Sequence, residues 1–209
     1  MTIDVIILSN TANLEYYNML KNCINTIKAS EGVETNIILV ETNKKLKDKK
    51  DSLKLPIDVF VVPDDEKFNF NKYQNYGLDH CKNDYICFSN NDVYYEKDTL
   101  YNLYKQLDNY DSVSPWERKV SYYFFDKPGV YEGYATRKYV TGWCILTKKQ
   151  TLEKIGRLDE RFSFWFADDD YSKMLEINGL KHALVGNAVV DHLCQKSHNL
   201  WGPSEHYNQ

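Results

Sequence analysis

Carboxylate and imidazole side chains follow apolar segments at three places in the sequence. The first segment is 85–89, the second is the aromatic run 162–166, and the third ends at Val190. The polar residues that follow these segments are Asp92, Asp168, Asp169, Asp170 and His192. A carboxylate and an imidazole, completed by water and phosphate oxygens, suit Mg²⁺ or Mn²⁺, and the imidazole favours Mn²⁺. Asp92 and His192 are therefore candidate metal ligands, provided that the fold brings them together.

Three consecutive aspartates form the second of these groups, at 168–170. Their charges repel one another, which raises at least one carboxyl pKa unless a cation or hydrogen bonds relieve the repulsion. A carboxylate with a raised pKa is a better general base than an ordinary one. A structural interpretation is the alternative, because the helix dipole favours acidic residues in a first helical turn. The two interpretations are compatible.

The first half of the chain alternates short β-rich apolar runs with amphipathic segments. The predicted strands are 3–8, 36–40, 57–62 and 85–89, and the predicted helices are 14–27 and 75–81. The lysine-rich stretch 44–54 is typical of a solvated connector. Such alternation favours a mostly parallel α/β sheet, in which the polar carboxyl ends of the strands line one crevice.

The second half is less regular. Its predicted helices are 99–107, 148–155 and one that begins near Tyr171 and stops at Gly179, and its predicted strands are 140–146 and 182–190. The aromatic segment 122–125 either packs under a long loop or forms a platform on which sugars stack.

Composition excludes several classes of protein. The 209 residues, of which 43% are hydrophobic and 27% charged, predict one folded domain with a net charge of -4. No apolar run approaches the roughly 18–20 residues of a membrane span, and no signal peptide is expected. Five cysteines without C-x-x-C spacing predict reduced thiols in a cytoplasmic protein. They are Cys23, Cys81, Cys87, Cys144 and Cys194.

Six sequence blocks occur in a fixed order. The first block precedes the predicted strand 85–89 and reads F-N-F-N-K-Y-Q-N-Y-G at 68–77. The second block contains that strand and reads D-Y-I-C-F-S-N-N-D-V at 84–93. The others are T-G-W-C-I-L at 141–146, I-G-R-L-D-E-R-F at 155–162, F-A-D-D-D-Y at 166–171 and V-V-D-H at 189–192. Together they resemble family 2 glycosyltransferases of the GT-A fold, in particular a rhamnosyltransferase-like subgroup. The resemblance extends from Asp4 to Ser197.

The resemblance implies one GT-A domain over 1–209, with a central, mostly parallel sheet flanked by helices. Residues 1–95 form its nucleotide-sugar half and residues 96–209 its acceptor and catalytic half. Asp92 and His192 hold the metal, Asp168 is the catalytic base and Asp170 orients the following helix or a sugar hydroxyl. The implied nucleotide-sugar contacts are Ser9, Asn10, Thr11, Glu41, Lys72, Asn75, Asn90, Asn91 and Trp143.

Two positions depart from the family pattern. Asn90 replaces the first aspartate of a D-x-D motif, which removes a charge from the metal site and weakens metal binding without the nucleotide sugar. Ala167 replaces the usual glutamate of the [FY]-x-E-D-x-D-L block, so that Asp169 is an alternative base.

The implied activity is Mn²⁺- or Mg²⁺-dependent transfer of a sugar, most simply from a UDP-sugar, to an acceptor hydroxyl with inversion. Two alternatives remain: a nucleotidyltransferase of similar fold, or a non-catalytic sugar-binding module. The module would use the rings of Trp116, Trp143, Trp165 and Trp201.

The acceptor is expected to meet the variable segment 114–138, and its class stays open between a glycan, a protein, a lipid and a modified DNA base. The basic residues in this segment would suit an anionic acceptor. They are Arg118, Lys119, Lys127, Arg137 and Lys138. The expected location is the cytoplasm of a bacterium or of a virus-infected host cell, and the sequence makes no prediction of oligomeric state.

Overall fold

A computed structural model describes residues 1–65 and 67–193. Its strands are β1 (Thr2–Ser9), β2 (Glu34–Glu41), β3 (Val59–Val61), β4 (Tyr85–Asn90), β5 (Val93–Tyr95), β6 (Ser112–Glu117), β7 (Val130–Glu132), β8 (Cys144–Lys148) and β9 (His182–His192). Its α-helices are α1 (Leu14–Lys28), α2 (Phe70–Leu78), α3 (Thr99–Gln106), α4 (Lys149–Ile155) and α5 (Ala167–Ile177). The predicted connector 44–54 holds two short 3₁₀ turns, Lys44–Leu46 and Lys50–Leu53.

The strands of the described residues form one sheet in the order β3-β2-β1-β4-β8-β6-β9-β5, with β7 also paired to β9. The first four neighbours are parallel. β8 is antiparallel to both β4 and β6, so β6 and its parallel partner β9 run in the same direction as β1. The mostly parallel α/β sheet expected from the sequence is confirmed, with β5, β7 and β8 running the other way.

Helices cover both faces of the sheet because successive strand side chains point to opposite sides. On β1, Ile3, Val5 and Ile7 belong to one apolar cluster, which α1 and α3 cover. Ile6 and Leu8 belong to a second cluster, which α2, α4 and α5 cover. α2 lies so close to β1 that a Cβ at Gly77 would come within 2.4 Å of Ile6 Cγ2, so the helix needs glycine at that position.

Several elements differ from the sequence prediction. The short strands β5 and β7 are not predicted, β8 begins at Cys144 instead of residue 140, and α5 begins at Ala167 instead of Tyr171. α2 begins at Phe70 instead of residue 75, because the Asn69 side chain accepts a hydrogen bond from the Lys72 amide and caps the helix there. β6 was not predicted, since Ser112, Ser114 and Pro115 interrupt its apolar pattern. Pairing with β8 and β9 establishes this strand, and its register shifts beside Pro115.

The end of α5 follows the prediction, with Gly179 in the left-handed region at φ 64°. Within residues 1–65 and 67–193, no helix is both long and apolar enough to cross a membrane. The cysteines in this part of the chain have free thiols, and Cys194 lies outside the described residues. Trp201 also lies outside them.

Candidate functional site

Strands β1, β2, β4, β6 and β9 share one direction, so their carboxyl ends lie at the same edge of the sheet. The residues at these ends are Ser9, Glu41, Asn90, Glu117 and His192. β8 runs the opposite way and begins at this edge, immediately after Trp143. The topology therefore collects side chains that are far apart in the sequence.

Asp92 and His192 meet at this edge. Val93 pairs with His192 in the β5–β9 ladder, and the Leu193 amide donates to the Asp92 carbonyl at 3.0 Å. As a result, Asp92 Oδ1 lies 3.3 Å from His192 Nε2. Asp92 is only 1% exposed. The Trp143 ring stacks on the His192 imidazole with 4.7 Å between ring centroids.

Asp92 and His192 fit a divalent cation. Asp92 Oδ1 is buried, and no donor in the described residues makes a hydrogen bond to it, although His192 lies within ion-pair distance. A buried carboxylate oxygen without a donor is costly, and a cation would relieve that cost. No cluster of three or more potential ligands occurs in residues 1–65 and 67–193. The remaining ligands would therefore come from phosphate oxygens and water.

Glu41 organises the loop after β1. It is fully buried, and its two carboxylate oxygens accept hydrogen bonds from the Thr11 amide at 2.9 Å and the Thr11 hydroxyl at 2.6 Å. The Asn43 amide donates to the same carboxylate at 2.8 Å. Burial raises the pKa of Glu41, while these hydrogen bonds oppose the rise. Glu41 thus joins the ends of β1 and β2, with both oxygens already engaged.

The asparagines of the N-N-D turn connect this loop to the metal pair. Asn91 is buried, and its side-chain amide donates to Ser9 Oγ at 3.2 Å. The backbone amide of Asn90 donates to the Trp143 carbonyl at 2.8 Å. Asn10 is half-buried in the loop after β1. The structure therefore brings the predicted donor-contact residues of β1, β4 and the start of β8 into one connected region.

Lys72 lies at the start of α2 and is paired. Its ammonium is 2.5 Å from Asp65 Oδ1, and the Tyr76 hydroxyl donates to Asp65 Oδ2 at 2.9 Å. The hydrogen bond with Asp65 raises the pKa of Lys72 and lowers that of Asp65. Asp65 is not among the predicted site residues, although it lies three residues after the end of the predicted strand 57–62.

Three asparagines of the 68–77 block hold the 155–162 block. The Asn75 amide donates to the Leu158 carbonyl at 2.9 Å and to Glu160 Oε1 at 3.0 Å, and its oxygen accepts from the Leu158 amide. Asn69 and Asn71 donate to backbone carbonyls of Glu160 and Asp159. Asn75 is 1% exposed, so the described contacts show a structural role, and its predicted contact with a nucleotide sugar remains a prediction.

The three aspartates form the first turn of α5, so the structural interpretation of this cluster applies. Each has different surroundings. Asp168 packs against Gly142, where an added Cβ would lie 2.8 Å from Asp168 Cβ. Asp169 is exposed and accepts from the Thr136 hydroxyl at 2.6 Å. Asp170 is half-buried; burial raises its pKa, as does the charge of Asp159.

Asp168 is partly buried and packs against a glycine, Gly142. Burial raises the pKa of Asp168, the Asp169 charge adds to the rise, and the Arg137 charge opposes it. Gly142 directly precedes Trp143, whose ring covers His192. The candidate base and the metal pair are thus linked through two successive residues. Gly142 was not predicted as a site residue, although it lies inside the 141–146 block.

A cleft of about 330 Å³ opens beside His192. It is lined by Tyr94, Glu117, Lys119, Asp191, His192 and Leu193. Glu117 ends β6 and is buried, and the sequence does not point to it because β6 is not predicted.

The aromatic residues after β6 have different surroundings. Phe125 stacks on Tyr131 at 4.1 Å between ring centroids, whereas Tyr122 and Tyr123 are 73% and 82% exposed. Phe125 therefore fits the packing interpretation, and a sugar platform at Tyr122 and Tyr123 remains a prediction.

Residues 5–170 match the family model described as glycosyl transferase family 2. No curated protein sequence is significantly similar to the chain. The fold is shared with TarS residues 1–349 from S. aureus, at a TM-score of 0.66 and 14% identity, covering 91% of this chain and 59% of that chain. The same TarS fragment in complex with UDP-GlcNAc gives a TM-score of 0.69 at 13% identity, covering 91% and 57%.

A mannosyltransferase, PcManGT from Pyrobaculum calidifontis, in complex with GDP-Man and Mn²⁺, gives a TM-score of 0.69 at 15% identity, covering 95% of this chain and 59% of that chain. These likenesses confirm the GT-A fold expected from the sequence. The chain spans about three fifths of the length of these solved chains.

Proposed function

The chain belongs to glycosyl transferase family 2, and on this premise we propose that it transfers a sugar from a nucleotide-diphosphate sugar to an acceptor hydroxyl. The observation that carries the proposal is the Asp92–His192 pair, with a buried carboxylate oxygen 3.3 Å from the imidazole at the end of the sheet. The family assignment favours sugar transfer over nucleotidyl transfer and over sugar binding alone.

We propose a UDP-sugar as the donor and Mn²⁺ as the metal, with Mg²⁺ as the alternative. Solved complexes of similar fold support this choice in part, since TarS 1–349 is in complex with UDP-GlcNAc and PcManGT is in complex with GDP-Man and Mn²⁺. Asp92 and His192 would hold the cation. When bound, it would supply positive charge against the diphosphate leaving group.

The loop after β1 would contact the nucleoside. Ser9, Asn10 and Thr11 lie in or beside this loop, and Glu41 orients Thr11 through two hydrogen bonds. Trp143 and Asn91 would contact the donor nearer the metal pair. Lys72 would neutralise phosphate charge, which requires its ammonium to exchange Asp65 for a phosphate oxygen.

We assign Asp168 as the general base. Its raised pKa makes it a stronger base than an ordinary aspartate, and it packs against Gly142, the residue before Trp143. Asp168 would take the proton of the acceptor hydroxyl as that oxygen bonds to the anomeric carbon and the diphosphate leaves. A single displacement of this kind inverts the anomeric configuration.

The acceptor would approach over the loop that follows β6. This loop begins at the edge that carries His192 and exposes Tyr122, Tyr123 and Phe124 consecutively. Exposed aromatic rings in a row are unusual on a surface without a binding role. Lys119 lies beside them on the wall of the cleft. The surface suits a sugar-containing acceptor, on which the tyrosine rings stack.

Calorimetry with UDP-, GDP- and dTDP-sugars, with and without Mn²⁺, tests the donor and metal together. We expect one nucleotide class to bind with Mn²⁺, and Asp92→Asn, which keeps the side-chain shape, to weaken that binding at least tenfold. Asp108→Asn is the matched control, since Asp108 is exposed and lies just before β6, which begins at the opposite edge of the sheet. Failure of every nucleotide sugar to bind the unmodified protein would overturn the proposal.

A further inference from the structure

A series of buried hydrogen bonds lies beneath the end of β4. The Tyr95 hydroxyl donates to Ser89 Oγ at 2.8 Å, and Ser89 Oγ donates to the Asn90 carbonyl at 2.9 Å. Tyr95 is 6% exposed and Ser89 is 1% exposed. Asn90 is the first residue of the turn that carries Asp92, so this series ends at the backbone of the candidate metal site.

The direction of these hydrogen bonds follows from the Asn90 carbonyl, which can only accept. Ser89 gives its one hydroxyl proton to that carbonyl, so Tyr95 donates to Ser89. Because the Tyr95 proton is then used, the Cys144 thiol, 3.2 Å away, donates to the Tyr95 oxygen. The Cys23 thiol donates to the Asn90 carbonyl at 3.5 Å, beside the Ser89 hydroxyl. The Asn90 carbonyl thus receives two buried donors and is held toward the protein interior.

These two donors hold the carbonyl of the Asn90–Asn91 peptide bond. The backbone N–H of Asn90 is held as well, because it donates to the Trp143 carbonyl at 2.8 Å. Asp92 is two residues further on, and its carboxylate reaches His192 from this turn. Burial raises the pKa of Tyr95 well above its usual range, so the phenol keeps its proton at every working pH.

We propose that the Tyr95 hydroxyl is a positioning group for the metal site: through Ser89 it sets the Asn90–Asn91 peptide and so presents Asp92 to His192. The role at the metal rests on the proposed function, whereas the ordering of the turn does not. Tyr95 is on β5, after the N-N-D motif, and it touches neither the candidate metal ligands nor the proposed donor surface through any described hydrogen bond.

Amide hydrogen exchange of the protein without ligand tests the ordering of the turn. Tyr95→Phe keeps the ring and removes the hydroxyl, and we expect exchange in 89–93 to accelerate about tenfold, because one buried hydrogen bond is lost. Tyr17→Phe is the matched control. Its hydroxyl donates to the Leu53 carbonyl at 2.8 Å and its ring packs against the same apolar cluster, so its exchange effect should stay near Leu53. Unchanged exchange at 89–93 in Tyr95→Phe would overturn the proposal whether or not the protein binds a donor.

A Mn²⁺ titration tests the consequence for the metal. In Tyr95→Phe we expect the Mn²⁺ concentration for half-maximal donor binding to rise about tenfold, with recovery at saturating Mn²⁺. A merely structural role predicts equal losses of melting temperature in Tyr95→Phe and Tyr17→Phe and an unchanged Mn²⁺ requirement, which would contradict the proposal. Absence of donor binding in the unmodified protein would instead refute the proposed function.

Ser89→Ala removes the middle link and serves if Tyr95→Phe folds poorly. We expect it to accelerate exchange at 89–93 at least as much as Tyr95→Phe does, since both bonds are lost. In the double variant the two effects should not add, because Tyr95 acts only through Ser89. Additive effects in the double variant would show that Tyr95 acts by another route and would overturn the proposal.

Discussion

At the scale of single residues, the proposed chemistry depends most on Asp168. Its pKa is raised by burial first and by Asp169 second. The base must be ionised, so we expect the transfer rate to fall as pH decreases through a pKa above that of an ordinary aspartate. Asp168→Asn should lower kcat by a factor of about 10²–10⁴ and leave donor affinity unchanged.

Steady-state rates between about pH 4 and pH 8, together with donor calorimetry, check this prediction. Asp170→Asn is the comparison variant, since Asp170 is near Asp159 and Arg161. A large loss in Asp169→Asn with a normal rate in Asp168→Asn would move the base to Asp169.

Gly142 sets the space available to Asp168. In Gly142→Ala the new Cβ would lie 2.8 Å from Asp168 Cβ and 3.1 Å from its Oδ2, so the carboxylate must move. We expect kcat to fall about tenfold or more, because small displacements of a catalytic group are costly. In an Asp168→Asn background the same substitution should have little further effect on kcat. An equal loss in both backgrounds would show that Gly142 acts elsewhere.

At the scale of elements, a buried hydrogen-bonded series joins α5 to β6 and β9. The Tyr171 hydroxyl donates to Ser112 Oγ at 2.9 Å, Ser112 Oγ is 2.9 Å from His182 Nδ1, and His182 Nε2 is 3.0 Å from the Tyr139 carbonyl. The carbonyl can only accept, so Nε2 carries the proton and Nδ1 accepts from Ser112. Burial lowers the pKa of His182 to about 4.

This neutral histidine makes stability depend on pH. The folded-state pKa lies below the unfolded value of about 6.5, so the contribution is complete above pH 6.5 and is lost as pH falls to about 4. The total loss should be about 3 kcal/mol in the free energy of unfolding. Urea unfolding of the protein and of His182→Gln at several pH values measures the difference, and His80→Gln serves as an exposed control. An unchanged pH slope in His182→Gln would contradict the prediction.

In the whole molecule, the described residues of the two predicted halves, 1–95 and 96–193, share one sheet through the β4–β8 and β5–β9 pairings. Three asparagines of α2 and its cap also bind the 158–160 segment. We therefore expect one calorimetric unfolding transition. Asn75→Ala leaves the Leu158 amide and carbonyl without this partner and should cost about 2 kcal/mol, lowering the melting temperature without splitting the transition. Two transitions in either protein would show that the halves unfold separately.

Most of the fold follows from local patterns in the sequence. Apolar periodicity located β1, α1, β2, β4, α3, α4 and α5 because each buries a continuous stripe of its own residues. Local chemistry also located the glycine stop of α5, and it gave a first helical turn as one of two interpretations of the three aspartates. The ordered motif blocks predicted the family, and the family model over residues 5–170 confirms it.

Contacts between segments distant in the chain are not encoded by any local pattern. β6 exists because β8 and β9 flank it, so its serines and Pro115 did not indicate a strand. Asn75 and Lys72 look alike in sequence as polar residues of one helix, yet one is bonded to Leu158 and the other to Asp65. The meeting of Asp92 and His192, and the packing of Asp168 on Gly142, required the strand order itself. Such pairings join residues distant in the chain, and only the folded sheet brings them within bonding distance.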